Sequence, residues 1–236
     1  MCPRRNILIG ITVLLTTASL SCSDATRGAS QTGSSMDRSS REIVVDFEKY
    51  EVGKTPADFT PALTGGGGAV EWIVKEDATS PARKKVLAQT STDDTDNRFP
   101  LCTLNDLSAK DVDVSVRFKA VAGKVDQAGG LVARFKDKDN YYITRANALE
   151  NNVRLYKVVD GSRKQFAGVN AKVTSGEWHT LRLVANGSHF EVFFDGKSLF
   201  TADDDTLKDA GRVGLWTKAD SVTLFDDLRI ADRDQR

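Results

Sequence analysis

Alternating hydrophobic and polar residues predict a chain that is built from short β-strands. Val112, Val114, Val116 and Phe118 alternate with polar residues, which places four apolar side chains on one face of a strand. Further β-type runs are predicted at 43–47, 70–76, 84–90, 128–136, 140–147, 152–159, 163–169, 178–185, 188–195, 211–217 and 221–230. One short helical turn is expected at 203–210. The pattern is typical of an all-β protein.

Turn signals separate these runs at short intervals. Asp160-Gly161, Asn186-Gly187 and Asp195-Gly196 each lie between two β-type runs, and such pairs tolerate the positive φ of tight hairpin turns. Closely spaced strands with little helical periodicity indicate a sandwich or a barrel. We find no internal repeat, which argues against a propeller or a solenoid.

Composition narrows the choice of partner and the number of domains. The 236 residues contain 33 Lys and Arg against 33 Asp and Glu, so the formal net charge is zero. No basic face stands out, and nucleic acid is therefore not an expected partner. A polar stretch without an apolar pattern precedes residue 42, and no second linker follows it, which predicts a single domain over 42–236.

The N-terminus predicts export and a membrane anchor. Arg4 and Arg5 precede a short apolar run, as in a signal peptide over 1–21. Ser19-Leu20-Ser21-Cys22 resembles a bacterial lipobox, which implies a lipid on Cys22 and a flexible tether over 22–41; ordinary signal cleavage is the alternative. Ser23 follows the Cys where inner-membrane retention would call for Asp, so an outer-membrane or periplasm-facing lipoprotein is expected.

Several motifs of the second half occur together in one known superfamily. In chain order they are Gly129–Phe135, Asn140-Tyr141-Tyr142, Glu177–Arg182, Phe193–Lys197, Gly211–Trp216 and Phe225–Ile230. They resemble the concanavalin A-like lectin/glucanase superfamily, and most nearly the bacterial family 16 glycoside hydrolase-like and 3-keto-disaccharide hydrolase-like domains. The resemblance implies an antiparallel two-sheet jelly-roll sandwich. It does not imply catalysis, because these motifs mark the fold in catalytic and non-catalytic members alike.

Catalytic residues are not identifiable from the sequence. The Glu-x-Asp-x-x-Glu strand motif of family 16 glucanases is absent, and no carboxylate pair suited to a retaining glycosidase stands out. His179 and His189 show no zinc-ligand spacing, and no serine lies in a nucleophile elbow. We therefore expect no enzyme, or else a glycosidase-like hydrolase or lyase with unassigned residues.

Three carboxylates are candidate ligands for a structural calcium ion. Asp46 and Glu48 alternate with inward Val45 and Phe47, and Asp226 lies on the closing strand. Calcium takes several oxygen ligands, and related jelly rolls hold this ion where the first and last strands meet. The alternative is that these carboxylates only solvate a sheet edge, and no cofactor is required.

Strand alternation predicts a ligand-binding face. If Val213 and Leu215 point into the core, Trp216 and Lys218 point outward. Arg134 points outward in the same way if Leu131, Ala133 and Phe135 point inward. Arg154 and Tyr156 point outward if Val153 and Leu155 point inward. An aromatic ring beside planar donors suits a sugar. The candidate ligand-binding residues are Arg134, Arg145, Asn147, Arg154, Tyr156, Trp216 and Lys218. The alternative is that the arginines are solvated and Trp216 lies under a loop.

Three functions remain open on this basis. The leading one is an envelope-tethered, lectin-like module that binds a carbohydrate. The second is a glycoside hydrolase or lyase acting on 3-keto-disaccharides, other disaccharides or polysaccharide. The third is a laminin G-like protein-binding or structural domain of the envelope.

Overall fold

The computed structural model describes residues 42–233, and strands connected by turns make up this part of the chain. The fifteen strands are β1 (Glu42–Val45), β2 (Phe59–Gly65), β3 (Trp72–Glu76), β4 (Lys85–Gln89), β5 (Arg98–Leu104), β6 (Val112–Ala122), β7 (Ala128–Asp137), β8 (Asn140–Asn147), β9 (Asn152–Val159), β10 (Ser162–Asn170), β11 (His179–Asn186), β12 (His189–Phe194), β13 (Lys197–Asp203), β14 (Arg212–Trp216) and β15 (Val222–Asp232). Between residues 42 and 233 no helix is long and apolar enough to cross a membrane. The signal peptide, Cys22 and the tether lie outside the described residues.

The strands form two antiparallel sheets. The first has the order β13-β12-β11-β6-β15-β4-β3, and β1 also pairs with β15. The second has the order β10-β9-β8-β7-β14-β5-β2. Strands that are neighbours in a sheet are often distant in the chain, since β14 lies between β7 and β5, and β15 lies between β6 and β4. This arrangement confirms the predicted all-β, two-sheet sandwich.

The main core lies between the two sheets. The first sheet contributes side chains such as Val114, Phe118 and Leu183, and the second contributes Leu131 and Leu155, all of them buried. Each alternates with residues that face away from the partner sheet, as the pleat requires. Inward packing of Leu131 and Leu155 agrees with the pattern that the sequence shows.

The three predicted hairpin turns are confirmed. Asp160 and Gly161 have φ of 49° and 75°, and Asp195 and Gly196 have φ of 48° and 77°. Gly187, after Asn186, has φ of 57°. These pairs join β9 to β10, β12 to β13 and β11 to β12, so local sequence sets the register of five strands.

A second hydrophobic layer covers the outer face of the second sheet. Its buried members come from β5, β7, β8, β9 and β14 and include Phe99, Leu101, Tyr141, Tyr156 and Trp216. These residues alternate with members of the main core, so they lie on the opposite face of the same sheet. The second sheet is therefore packed on both of its faces, and the candidate site is built on this outer layer.

Three strands and one loop differ from the prediction. We did not predict β2 or β5, and we predicted no bounds for β13, which the Asp195-Gly196 turn implies. The helical turn expected at 203–210 is wrong, because β13 runs to Asp203 and residues 204–210 form no helix. Burial of β5 on both faces removes the alternation that marks a half-buried strand, since Leu101 packs outward and Cys102 inward. Pro61 in β2 and Pro100 in β5 also weaken the strand signal.

A carboxylate in this mispredicted loop ties the two sheets together. Asp204 follows β13 of the first sheet, and its Oδ1 accepts from Tyr142 Oη of the second sheet at 2.6 Å. Its Oδ2 accepts from Lys157 Nζ at 2.5 Å. Burial alone would raise the pKa of Asp204, but hydrogen bonds from Lys157, Tyr142 and Thr206 outweigh it and lower the pKa to about 2.

Replacing this carboxylate is expected to give a pH-dependent loss of stability. A lowered pKa in the folded state means that ionised Asp204 stabilises the fold above its ordinary pKa of 3.8, and that this contribution is lost as pH falls toward about 2. Asp204→Asn should therefore be less stable than wild type at pH 7 and nearly equal to it near pH 2. Urea unfolding across this pH range measures the difference. A difference that stays constant with pH would contradict the assignment.

Candidate functional site

An open pocket lies on the outer face of the second sheet. Its volume is about 370 Å³, within the range of ligand-binding pockets. It is lined by Asp96, Asn97, Phe99, Gly161, Ser162, Arg163 and Lys218. The turn before β5, the hairpin between β9 and β10, and the segment after β14 thus meet here, although they are far apart in the chain.

Arg163 lies over the aromatic part of the outer layer. Its guanidinium carbon is 4.4 Å from the ring centre of Phe99, 4.6 Å from that of Tyr156 and 5.6 Å from that of Trp216. Phe99 and Trp216 stack with ring centres 5.6 Å apart. Burial lowers the pKa of Arg163 below its ordinary value. The rings position a planar cation at the pocket wall.

Arg145 organises the polar groups beside these rings. Its Nη2 donates to Glu150 Oε2 at 2.7 Å and to Tyr156 Oη at 3.0 Å, and its Nη1 donates to Asn152 Oδ1 at 2.5 Å. Burial raises the pKa of Glu150, but hydrogen bonds from Asn152 and Arg145 outweigh it and lower the pKa. Asn147 Oδ1 accepts from the backbone N–H of Glu150 at 3.1 Å and so fixes this turn.

A buried carboxylate and a lysine continue the network toward the pocket. Asp126 Oδ1 accepts from Asn147 Nδ2 at 2.5 Å, and Asp126 Oδ2 lies 3.1 Å from Lys218 Nζ without hydrogen-bond geometry. Lys218 also pairs with the exposed Asp96 at 2.5 Å. Burial raises the pKa of Asp126. Lys218 therefore joins a carboxylate at the surface to one beneath it.

Five of the seven predicted ligand-binding residues lie in this region. Arg145 donates a hydrogen bond to Tyr156, and the rings of Tyr156 and Trp216 lie under Arg163. Asn147 donates to Asp126, which in turn pairs with Lys218. Most are buried, however, and Trp216 is 0% exposed. The alternative reading of Trp216 as a covered residue is therefore the correct one. Of the five, only Lys218 lines the pocket, and the others support it.

Arg134 lies elsewhere, and its predicted outward orientation is wrong. Residue 134 has φ of 50°, and the β7–β8 register shifts between Ala133 and Asp137. This bulge reverses the alternation, so that Phe135 packs in the outer layer and not in the core.

The side chain of Arg134 serves the fold at another end of the sandwich. Its Nε donates to the carbonyl of Lys110 at 2.8 Å, its Nη1 to that of Leu207 at 3.0 Å and its Nη2 to that of Gly187 at 2.5 Å. Arg134 is 2% exposed. Arg134 thus binds the carbonyl groups of three loops and does not reach the pocket that Arg163 lines.

Arg154 faces outward as predicted but is bound within its own hairpin. It is paired with Arg145 across β8 and β9, so the two side chains share a face. Its Nη2 donates to Asn170 Oδ1 at 2.7 Å. Arg154 lies on the site's face without lining the pocket.

The three candidate calcium ligands are engaged with protein donors. Glu48 Oε1 accepts from two backbone N–H groups, those of Lys84 and Lys85, and Asp226 Oδ1 accepts from the N–H of Asp227 at 2.7 Å. Asp46 Oδ1 accepts from the N–H of Glu48 at 3.2 Å. Residues 42–233 contain no group of three or more His, Cys, Asp or Glu side chains that could hold a metal ion. The geometry gives the calcium hypothesis no support.

Sequence reasoning missed the residues that form the pocket wall. Arg163 and Phe99 are 64 positions apart, and no local pattern relates them. Asp126 and Asp96 lie in turns, where strand alternation makes no prediction. The register of β9 and β10 places Arg163 opposite Val158 and diagonal to Tyr156, but the approach of Arg163 to Phe99 depends on the shape of the whole sheet.

The two antiparallel sheets and their strand order define a concanavalin A-like, glucanase-type jelly roll. Among solved structures, the chain is similar to the carbohydrate-binding module CBM66 from Bacillus subtilis, with TM-score 0.54 and 21% identity over 68% of this chain and 95% of that one. It is also similar to a Bacillus licheniformis beta-glucanase, with TM-score 0.56 and 12% identity over 81% of this chain and 98% of that one. At such identities the likeness shows the fold alone.

A family assignment follows from the sequence. The family described as 3-keto-alpha-glucoside-1,2-lyase-like domain matches residues 53–231, and the chain belongs to this family. The match confirms the resemblance stated above and extends it to the first half of the domain. No curated protein sequence matches the chain significantly.

Proposed function

We propose that this protein binds a carbohydrate in the pocket beside Arg163 and Lys218. The observation that carries the proposal is an open pocket that brings charged and hydroxyl groups together above a stacked aromatic layer. Sugars need planar and charged donors for their hydroxyl groups, and the pocket supplies these from Arg163, Lys218 and Ser162. The family and the fold shared with CBM66 support the same function.

A second candidate is cleavage of a glycosidic bond, by elimination from a 3-keto-glucoside or by hydrolysis. The family favours it, and so does Asp126, whose raised pKa suits a group that exchanges protons. Asp126 is 0% exposed behind Lys218, so substrate would reach it only if Lys218 moved. Binding without turnover is therefore the better-supported proposal. Attachment to the cell envelope through Cys22 stays a prediction from the sequence.

Filling the pocket is expected to abolish sugar binding without unfolding the protein. Asn97 is exposed and lines the pocket, so Asn97→Trp should weaken binding at least about tenfold by occupying the ligand's space. Calorimetric titration of the full chain with neutral and acidic oligosaccharides measures this effect, and product analysis of the same mixtures detects cleavage.

Thr92→Trp is the matched control. Thr92 is also exposed in the segment before β5 but does not line the pocket, so this variant should bind as wild type does. Equal loss in both variants would point to a general disturbance of the loop. No binding of any saccharide by a folded wild-type chain would reject the proposal and favour a protein-binding envelope domain.

A further inference from the structure

Arg163 differs from the other arginines of the site in its bonding. Arg145 donates to Glu150 and Asn152, and Arg154 donates to Asn170. Within residues 42–233, the side chain of Arg163 has ring contacts but no hydrogen bond and no ion pair, and its Nη1 is buried without a partner. Burying a guanidinium donor without an acceptor is costly. An acceptor from a bound ligand would offset the cost of desolvating this side chain.

The ring contacts of Arg163 do not use its N–H donors. Phe99 and Tyr156 lie with their ring centres 4.4 and 4.6 Å from the guanidinium carbon, which is a cation–π distance. Guanidinium N–H bonds lie in the plane of the group, and a contact with the face of a ring leaves them to an oxygen acceptor. A planar acceptor with two oxygens matches these donors in a bidentate pair.

Neighbouring charges leave Arg163 without a carboxylate of its own. Glu150 forms an ion pair with Arg145, and Asp126 and Asp96 both pair with Lys218. Asp96 does line the same pocket, but its side chain is 80% exposed and is directed to Lys218. The missing acceptor must therefore come from outside the chain.

We propose that the saccharide bound in this pocket is acidic, and that Arg163 binds the carboxylate of a uronic acid residue through two parallel hydrogen bonds. This inference rests on the proposed function and specifies its ligand class. Lys218 lines the same pocket, where it is paired with Asp96 and Asp126. A neutral sugar would satisfy the donors of Arg163 only through hydroxyl groups, without compensating its charge.

The test compares acidic saccharides with their uncharged esters. Oligosaccharides of galacturonate, glucuronate and mannuronate, each paired with its methyl ester, are titrated into the full chain by calorimetry. At least one acid should bind at least about tenfold more tightly than its ester. Arg163→Gln should remove that preference, and Arg163→Lys should restore only part of it, because lysine keeps the charge and loses the planar pair of donors.

Two variants keep the result interpretable if Arg163 variants fold poorly. Asp96→Asn removes an exposed negative charge from the pocket wall and should increase the preference for the acid. Arg212→Gln changes an arginine that stacks on Phe135, outside the pocket, and should leave the preference unchanged. Equal affinity for acid and ester in every pair would overturn the inference while the proposed function stands. Failure of every saccharide, acidic or neutral, to bind would overturn both.

Discussion

Trp216→Ala is expected to lower the free energy of unfolding by about 3–5 kcal/mol. Trp216 is 0% exposed, stacks on Phe99 and lies under Arg163, so truncation leaves a large cavity in the outer layer. Urea unfolding followed by circular dichroism measures the loss. An exposed sugar platform would behave differently, because its removal would weaken binding and leave stability nearly unchanged.

Trp178→Ala is the matched control for this experiment. Trp178 is half-buried on the outer face of the first sheet, where it packs against a small cluster of Val86, Ala88 and Leu224. Its truncation should cost less than half as much as that of Trp216, since less area returns to water. A loss below about 1 kcal/mol for Trp216→Ala would contradict the account of a packed outer layer.

Arg98→Met is expected to cost at least about 3 kcal/mol, because it removes four hydrogen bonds that a buried guanidinium donates. Arg98 is 0% exposed, and its guanidinium donates to the carbonyls of Gly68, Ala69 and Ala219 at 3.2, 2.8 and 2.9 Å. It also donates to Ser91 Oγ at 2.9 Å. Burial lowers the pKa of Arg98 below its ordinary value.

The same substitution should weaken ligand binding at the pocket. Ala219 follows Lys218 directly, and its carbonyl accepts from Arg98 Nη1 at 2.9 Å, so the side chain of Arg98 holds the segment that carries Lys218. Unfolding curves and calorimetry on one preparation measure both effects. Arg154→Met, which removes a single hydrogen bond to Asn170, should cost less than about 1 kcal/mol. Equal losses in the two variants would refute the special role of Arg98.

Local sequence was sufficient for the parts of the fold that depend on local physics. The positive φ of Asp160 and Gly161 is available to few residue types, so the hairpin between β9 and β10 could be predicted. Strand β6 could also be predicted, because only one of its faces meets the core and its hydrophobic and polar residues therefore alternate strictly. These strands and turns were enough to predict the sandwich, and the motifs of the second half were enough to predict its family.

The remainder depends on contacts between distant segments. Arg134 adopts φ of 50° although nothing in its sequence requires a bulge there, and the carbonyls of three separate loops hold it. The sequence of β5 lacks hydrophobic–polar alternation, because a second layer buries its outer face as well. Arg163 becomes a pocket residue only because the sheet brings Phe99 to it. Outward alternation placed Trp216 on the outer face of its sheet but could not show that this residue is covered.

A crystal structure of the full chain with a bound acidic oligosaccharide tests the central claim most directly. The account predicts electron density for the sugar in the pocket of about 370 Å³, with a carboxylate at the guanidinium edge of Arg163 and close to Lys218. Density for the sugar on another surface, with Arg163 still lacking an acceptor, would contradict it.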